Sequence, residues 1–307
     1  MKMTKEIKQL TLSAILTGIN ISLLLLNLLL PFFSFFMIIA IPFSTALLIL
    51  KCQKRYNVIY VFATLLISCI FDFHTSLFYV IPSIITGITL GILIKKKLHG
   101  LFIAIITSLV HTIIELGSFF LIKLIYNVNI FTIFQEFFKL SESEFFNISL
   151  SFFFLFSLIP VLLIYFVIEE ELPKFQYRIN ENHNIFIPLS IISISLSIVS
   201  IPALYLLPII GHLITSISII FIIYILFHLL RASNNLLKII YFGLYFISLI
   251  VIIFISSYVK EFGLHLIFNI FSITTSINNV IFIIYTSFKK IVIEPSLFDK
   301  KEEKEEY

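Results

Sequence analysis

Apolar runs of about twenty residues recur along the chain from Leu10 to Phe288, separated by short polar or basic turns. A run of that length is what an α-helix needs to cross a bilayer, and a helix satisfies its own backbone N–H and C=O groups where no water is present. The runs are continuous rather than alternating, which excludes a transmembrane β-barrel. Composition agrees: of 307 residues, 60% are hydrophobic and 12% charged, far from the balance of a soluble domain. The expected fold class is therefore all-α, a polytopic transmembrane helical bundle of about ten spans.

The spans are expected at Leu10–Leu30, Phe32–Leu50, Val58–Phe71, Ser76–Ile94, Leu98–Tyr126, Ile148–Ile168, Ile185–Leu207, Pro208–Leu230, Leu236–Val259 and Leu264–Phe288. The first follows the basic lead MKMTKEIKQL and shows no small-residue cleavage site, so it reads as an uncleaved helix. Pro31 marks the turn into the second. With ten spans and the N-terminus inside, eighteen of the 21 Lys and Arg residues fall on inner segments, leaving Lys123, Lys139 and Lys260 outside or at the outer edge. That bias predicts an N-in/C-in topology; the location expected for such a bundle is the cell membrane, a bacterial plasma membrane, in contact with the lipid bilayer. Because the basic residues lie in short clusters between spans, the net charge of +4 does not point to nucleic acid.

Two polar breaks organise the rest. The outer one, Asn127–Asn147, contains IFTIFQEFFKL, in which Ile130, Phe131, Phe134, Phe137 and Phe138 share one helix face opposite Thr132, Gln135, Glu136 and Lys139. This pattern predicts an interfacial amphipathic helix, lying passively at the interface or covering an outward cavity. The inner break reads EEELPKFQYRINENHN and divides the chain into a six-helix core (1–172), a cytoplasmic linker (173–184), a four-helix membrane region (185–291) and a charged, disordered tail (292–307). Glu170-Glu171 lacks the downstream arginine that an intramembrane glutamate protease of the Glu-Glu-x-x-x-Arg kind would require.

The expensive residues are the informative ones. Glu115 lies deep in the fifth span, where an ionised carboxylate costs several kcal/mol unless it faces protein, water or a proton donor. His111 stands four residues earlier, on the same helix face about 6 Å along the axis, and Ser108 and Ser118 extend that face. A proton relay, a ligand-binding group, a cation site and a neutral hydrogen-bonded packing contact all fit this arrangement. Asp72 and His74 flank the turn into the fourth span, as a solvated turn or as the mouth of a cavity. His265, Asn269, Ser272, Ser276 and Asn279 form a polar stripe on the tenth span, and Ser190, Ser193, Ser197 and Ser200 form another on the seventh. Interhelical hydrogen bonding is the expected use of both stripes.

Ala14-x-x-x-Gly18 and Gly87-x-x-x-Gly91 place small residues one helical turn apart, a spacing that lets helix backbones approach closely in lipid, within the bundle or against a partner. Cys52 and Cys69 sit at different depths and form no metal spacing. The sequence has neither a Gly-x-x-x-x-Gly-Lys-Ser/Thr phosphate loop nor a Gly-x-Ser-x-Gly elbow. No enzymatic activity, catalytic residue, metal or cofactor is expected, and driven transport would need a gradient or a partner ATPase.

The basic start with its TLSAILTGI helix, the Pro31 turn, the IPFSTALLILK second span and the IITGITLGILIKKK end of the fourth together resemble the opening of the membrane substrate-binding (S) components of energy-coupling-factor importers. That resemblance covers roughly Met1–Leu172. Over most of its length the chain resembles the YybS-like membrane proteins of unknown function, which are thought to be related to S components. The resemblance implies a six-helix binding core, a small solute bound near His111, Glu115, Ser108, Asp72 and His74, and a coupling transmembrane subunit with an ATPase pair as partners. It also implies that Ala14 and Gly18 match the Ala-x-x-x-Ala docking surface of the first helix, with glycine replacing the second alanine. A non-transport membrane scaffold or regulatory protein with the same fold is the alternative.

Overall fold

The computed structural model describes residues 2–171 and 186–230, together with helical positions Gly243, Phe246, Ile250, Ile273, Thr274, Ile277, Asn278 and Val280. The linker at 173–184, the tail at 292–307 and the stripe of His265, Asn269, Ser272, Ser276 and Asn279 lie outside the described residues, as does most of the ninth and tenth spans. The elements are α1 (Lys2–Leu29), α2 (Ser34–Lys51), α3 (Lys54–Phe71), α4 (Phe73–Lys95), α5 (Gly100–Tyr126), α6 (Ile130–Phe138), α7 (Glu142–Glu171), α8 (Phe186–Leu206) and α9 (Pro208–Leu230). Among the described residues, eight of these are long and apolar enough to cross a membrane, and no strand is present.

The eight correspond to the first eight expected spans, but their ends differ where polar residues continue the helix. α3 begins at Lys54 rather than Val58, and α7 begins at Glu142 rather than Ile148. α4 begins at Phe73 rather than Ser76, because the Asp72 carboxylate caps it by accepting the N–H groups of His74 and Thr75. A π-helical stretch, Ser76–Val80, follows in its first turns.

Pro31–Phe33 form a single 3-10 turn that reverses the chain between α1 and α2. His99 caps α5 through its ring Nδ1, and Asn127, at φ 55°, ends the same helix in the left-handed region that asparagine tolerates.

The chain divides into two compact units: Met1–Glu142 with Phe152–Glu181, and Ser143–Ser151 with Asn182–Tyr307. In the first, Leu47, Leu48, Tyr60, Leu90, Ile94, Ile103, Ile164 and Ile168 belong to one core cluster. The tightest seam runs between α2 and α4. A Cβ added at Gly87 would lie 2.5 Å from the Pro42 carbonyl oxygen and 2.6 Å from Thr45 Cβ, and one at Gly91 would lie 2.9 Å from Ile49 Cβ. Those two glycines are where α4 and α2 approach backbone to backbone, which only a missing side chain permits.

In the second unit, α8 and α9 form an antiparallel pair stitched by hydroxyls. Ser218 Oγ lies 3.1 Å from Ser193 Oγ and 2.6 Å from Ser197 Oγ. Ser151, at the start of α7, meets Ser216. The seventh-span serines therefore face a neighbouring helix: Ser190, Ser193, Ser197 and Ser200 are all completely buried.

Candidate functional site

α5 is 27 residues long, and its middle holds both ionisable groups. His111 and Glu115 lie about 16 and 22 Å along the axis from Gly100, far from either end of a helix about 40 Å long. His111 Nε2 is 3.4 Å from Glu115 Oε1. Two other helices complete the cluster. From α4, Thr86 Oγ1 sits 2.8 Å from His111 Nδ1 and donates to the Pro82 carbonyl at 2.8 Å. From α7, Ser157 Oγ donates to Glu115 Oε2 at 2.8 Å and receives a 3.2 Å bond from Thr112.

These donors settle where hydrogens sit. With the Thr86 proton directed to Pro82, the Thr86 oxygen accepts from His111, so Nδ1 carries a hydrogen. Nε2 then faces the Glu115 carboxylate. The cluster is thus able to hydrogen-bond a polar solute that replaces part of the contact. Its side chains are not sealed: His111 is 14% and Glu115 23% accessible. Ser108 and Thr107, one turn nearer Gly100, are completely buried, and their hydroxyls have no hydrogen-bond partner among the described residues.

One turn beyond the pair, toward Tyr126, aromatic rings close the α5–α7 seam. Phe119 lies 5.1 Å from Phe153, ring centre to ring centre, and α6 lays Phe131 at 6.1 and 5.8 Å from these two. Phe134 of α6 adds contacts to Phe152 and Phe153 at 5.7 and 5.5 Å. The amphipathic segment therefore docks through Phe131, Phe134 and Phe138, whereas Phe137 is 77% exposed.

The chain is similar, over residues 18–152, to a family described as a predicted membrane protein (DUF2232). The matched stretch takes in the second half of α1 from Gly18, all of α2–α6 and the beginning of α7. It contains Thr86, His111 and Glu115 and stops short of Ser157. Neither the curated proteins nor the solved structures yield a match.

The sequence-derived candidates do not converge on one place. Asp72 lies fourteen residues before Thr86 on α4, about 21 Å away at 1.5 Å per residue. There its carboxylate caps α4 and also accepts from the Thr75 hydroxyl. Burial works to raise this carboxyl, but the hydrogen bonds from Thr75 and His74 and the nearby His74 ring outweigh it and hold it below the usual range. The His74 ring packs against Phe78 at 4.8 Å and Tyr126 at 5.5 Å. Asp72 and His74 thus serve the end of the bundle, and only Ser108 remains beside the His111–Glu115 pair. Ser118 turns back to the Ile114 carbonyl of its own helix.

A second buried polar cluster carries no charge. Asn20 of α1 donates to the Tyr60 hydroxyl of α3 at 2.6 Å, Thr45 of α2 lies 3.2 Å from the same oxygen, and Ser44 reaches Asn20 at 3.4 Å. These four residues are at most 3% exposed. No periodicity announces them, since α1 and α3 give one member each and α2 gives the adjacent Ser44 and Thr45.

Ala14 and Gly18 face outward. They line an open groove of about 410 Å³ between α1 and α3, with Ile59, Ala63 and Ile67 opposite, and a Cβ at Gly18 would meet nothing within 4 Å. Cys52 and Cys69 are free thiols, and among the described residues no three His, Cys, Asp or Glu side chains are grouped to hold a metal.

Proposed function

We propose that this multi-pass membrane protein is a small-solute-binding subunit of the S-component type, with the His111–Glu115 cluster as its polar centre. The observation that carries the reading is convergence. Three helices, α4, α5 and α7, bring Thr86, His111, Glu115 and Ser157 together at mid-helix depth, as two hydrogen-bonded pairs joined by the 3.4 Å His111–Glu115 contact, while leaving the ionisable pair partly accessible. A packing contact alone would be served at lower cost by neutral side chains, as the Tyr60 cluster is.

In this reading the termini are cytoplasmic, the membrane is the bacterial plasma membrane, and a separate coupling subunit with an ATPase pair supplies energy. Ala14 and Gly18, open in the α1–α3 groove, are the surface offered to that partner. The aromatic plug of Phe119, Phe131, Phe134 and Phe153 separates the pair from the Tyr126 end, so α6 must shift for a solute to enter from that side. The protein itself performs no catalysis.

Native mass spectrometry of the gently extracted protein tests this. We expect a bound small solute in the wild type and its loss in Glu115→Gln at unchanged membrane abundance, with ATPase subunits co-purifying with both. A wild type that carries neither solute nor ATPases would sink the proposal and leave a scaffold or regulatory role.

A further inference from the structure

A cavity of about 1020 Å³ opens between α2, α3 and α4, at the end of the bundle opposite Asp72 and distinct from the His111–Glu115 cluster. Its lining is divided sharply by chemistry. Lys51, Lys54 and Lys95 stand at one end with the amides of Gln9, Gln53 and Asn57, and no carboxylate lines it among the described residues. The neighbouring arginine, Arg55, is already matched by Glu6 at 2.6 Å and lies outside the lining. Below the lysines the wall is mainly apolar, with Val61, Phe62 and Leu65 from α3 and Ile88 and Ile92 from α4, interrupted by Thr45 and Tyr60 of the neutral cluster.

The dimensions match those of a leaflet. From Lys54 to Leu65 is eleven residues, about 16 Å along α3, roughly half of a hydrocarbon core about 30 Å thick. Phe62 is 67% and Ile92 42% exposed, so the apolar wall is open sideways to the acyl chains around the protein. A water-soluble anion would use the three amines and leave that wall idle, whereas a neutral lipid would use the wall and bring no negative charge to the amines, of which Lys95 also reaches the Ile49 carbonyl at 3.5 Å. An amphiphile with an anionic head satisfies both parts.

We propose that this groove is a binding site for an anionic phospholipid of the adjoining leaflet. The headgroup phosphate sits among Lys51, Lys54 and Lys95, and one acyl chain runs down toward Leu65 between α3 and α4. Basic pockets between transmembrane helices recognise phosphate headgroups in this manner, through close-range charge on top of apolar burial.

The test uses the full chain purified in an uncharged detergent, with lipid retention read by native mass spectrometry. Dioleoyl phosphatidylglycerol is titrated against dioleoyl phosphatidylcholine, so that only the headgroup differs. We expect the anionic lipid to be retained at least tenfold more tightly. Lys51→Gln/Lys54→Gln/Lys95→Gln should weaken it on the order of 100-fold, while Lys96→Gln/Lys97→Gln, outside the lining, changes it less than twofold. Ile92→Trp fills the apolar wall without altering charge and should displace the lipid from a protein that elutes as the wild type does. Equal retention of the two lipids, an undiminished affinity in the triple variant, or retention unaffected by Ile92→Trp would each overturn the proposal. Inorganic phosphate that competes the phospholipid away at millimolar concentration would overturn it too, by showing that the wall contributes nothing. Loss of the small solute in Glu115→Gln leaves this result untouched, so the two sites fail or stand separately.

Discussion

Two buried polar clusters in the first unit solve the same problem with different chemistry. Around Tyr60, an amide and three hydroxyls from α1, α2 and α3 bond to one another with at most 3% exposure and no ionisable carboxylate or imidazole. Around Glu115, α4, α5 and α7 are joined through a carboxylate and an imidazole that remain partly accessible. Neutral groups are thus sufficient to tie three helices of this bundle together, at about 1 kcal/mol per interhelical hydrogen bond. The ionisable pair adds a desolvation cost that packing does not require, and that excess is the physical reason to read it as functional.

Gly87 offers the strongest way to break the comparison, because it lies between the two clusters. It packs against Thr45, which bonds Tyr60, and is adjacent to Thr86, which bonds His111. Gly87→Leu should force α2 and α4 apart, cost about 3 kcal/mol or more and disrupt both clusters together. Thermal unfolding in detergent would show it as a large loss of melting temperature, whereas Gly18→Ala, where no atom lies within 4 Å, should leave stability within about 1 kcal/mol of the wild type.

Tyr60→Phe sharpens the contrast. It strands the Asn20 amide and should cost about 1–2 kcal/mol in stability without touching solute retention, the reverse of the pattern expected for Glu115→Gln. If both substitutions lowered abundance equally and neither affected a ligand, the functional distinction between the clusters would be gone.

Asp72 supplies the smallest effect and a reference away from both clusters. Asp72→Ala should cost about 1 kcal/mol through the lost cap, and Asp72→Asn much less, since asparagine caps nearly as well. Because the carboxyl is held below its ordinary value, its charged-state contribution is complete above about pH 4 and disappears as pH falls through the lowered value. Subtracting the Asp72→Asn melting curve from that of the wild type between pH 5 and pH 2 should therefore give a difference that shrinks toward acid. A difference that grew toward acid would contradict the capping geometry.

How much of this was visible in the chain depends on whether a feature is local. The first eight spans, the Pro31 turn, the amphipathic face of α6 and the i, i+4 placement of His111 and Glu115 are local patterns, and the structure shows each of them, with α3, α4 and α7 extended beyond their expected ends. Asp72 as a cap was also available, since an aspartate directly before an apolar run is a helix-start signal. The partners Thr86 and Ser157 were not, because they lie 25 and 42 residues from their contacts on helices rich in other hydroxyls. The Tyr60 cluster escaped for the same reason. Polar residues along one helix announce a face, but which face meets which is a property of the bundle.

The hydroxyl contacts between α8 and α9 have a consequence for how that pair finds its alignment. Ser193 and Ser197 both reach Ser218, so sliding α8 by one turn along α9 would exchange one serine for another at little cost. Such a track tolerates several registers and selects none. Selection falls to the hairpin itself, where a Cβ at Gly211 would lie 2.6 Å from the backbone nitrogen of Leu204 and the Leu207 N–H bonds the Ala203 carbonyl at 2.7 Å. The serines let the two helices glide into place, and the glycine-backed turn is the latch that stops them.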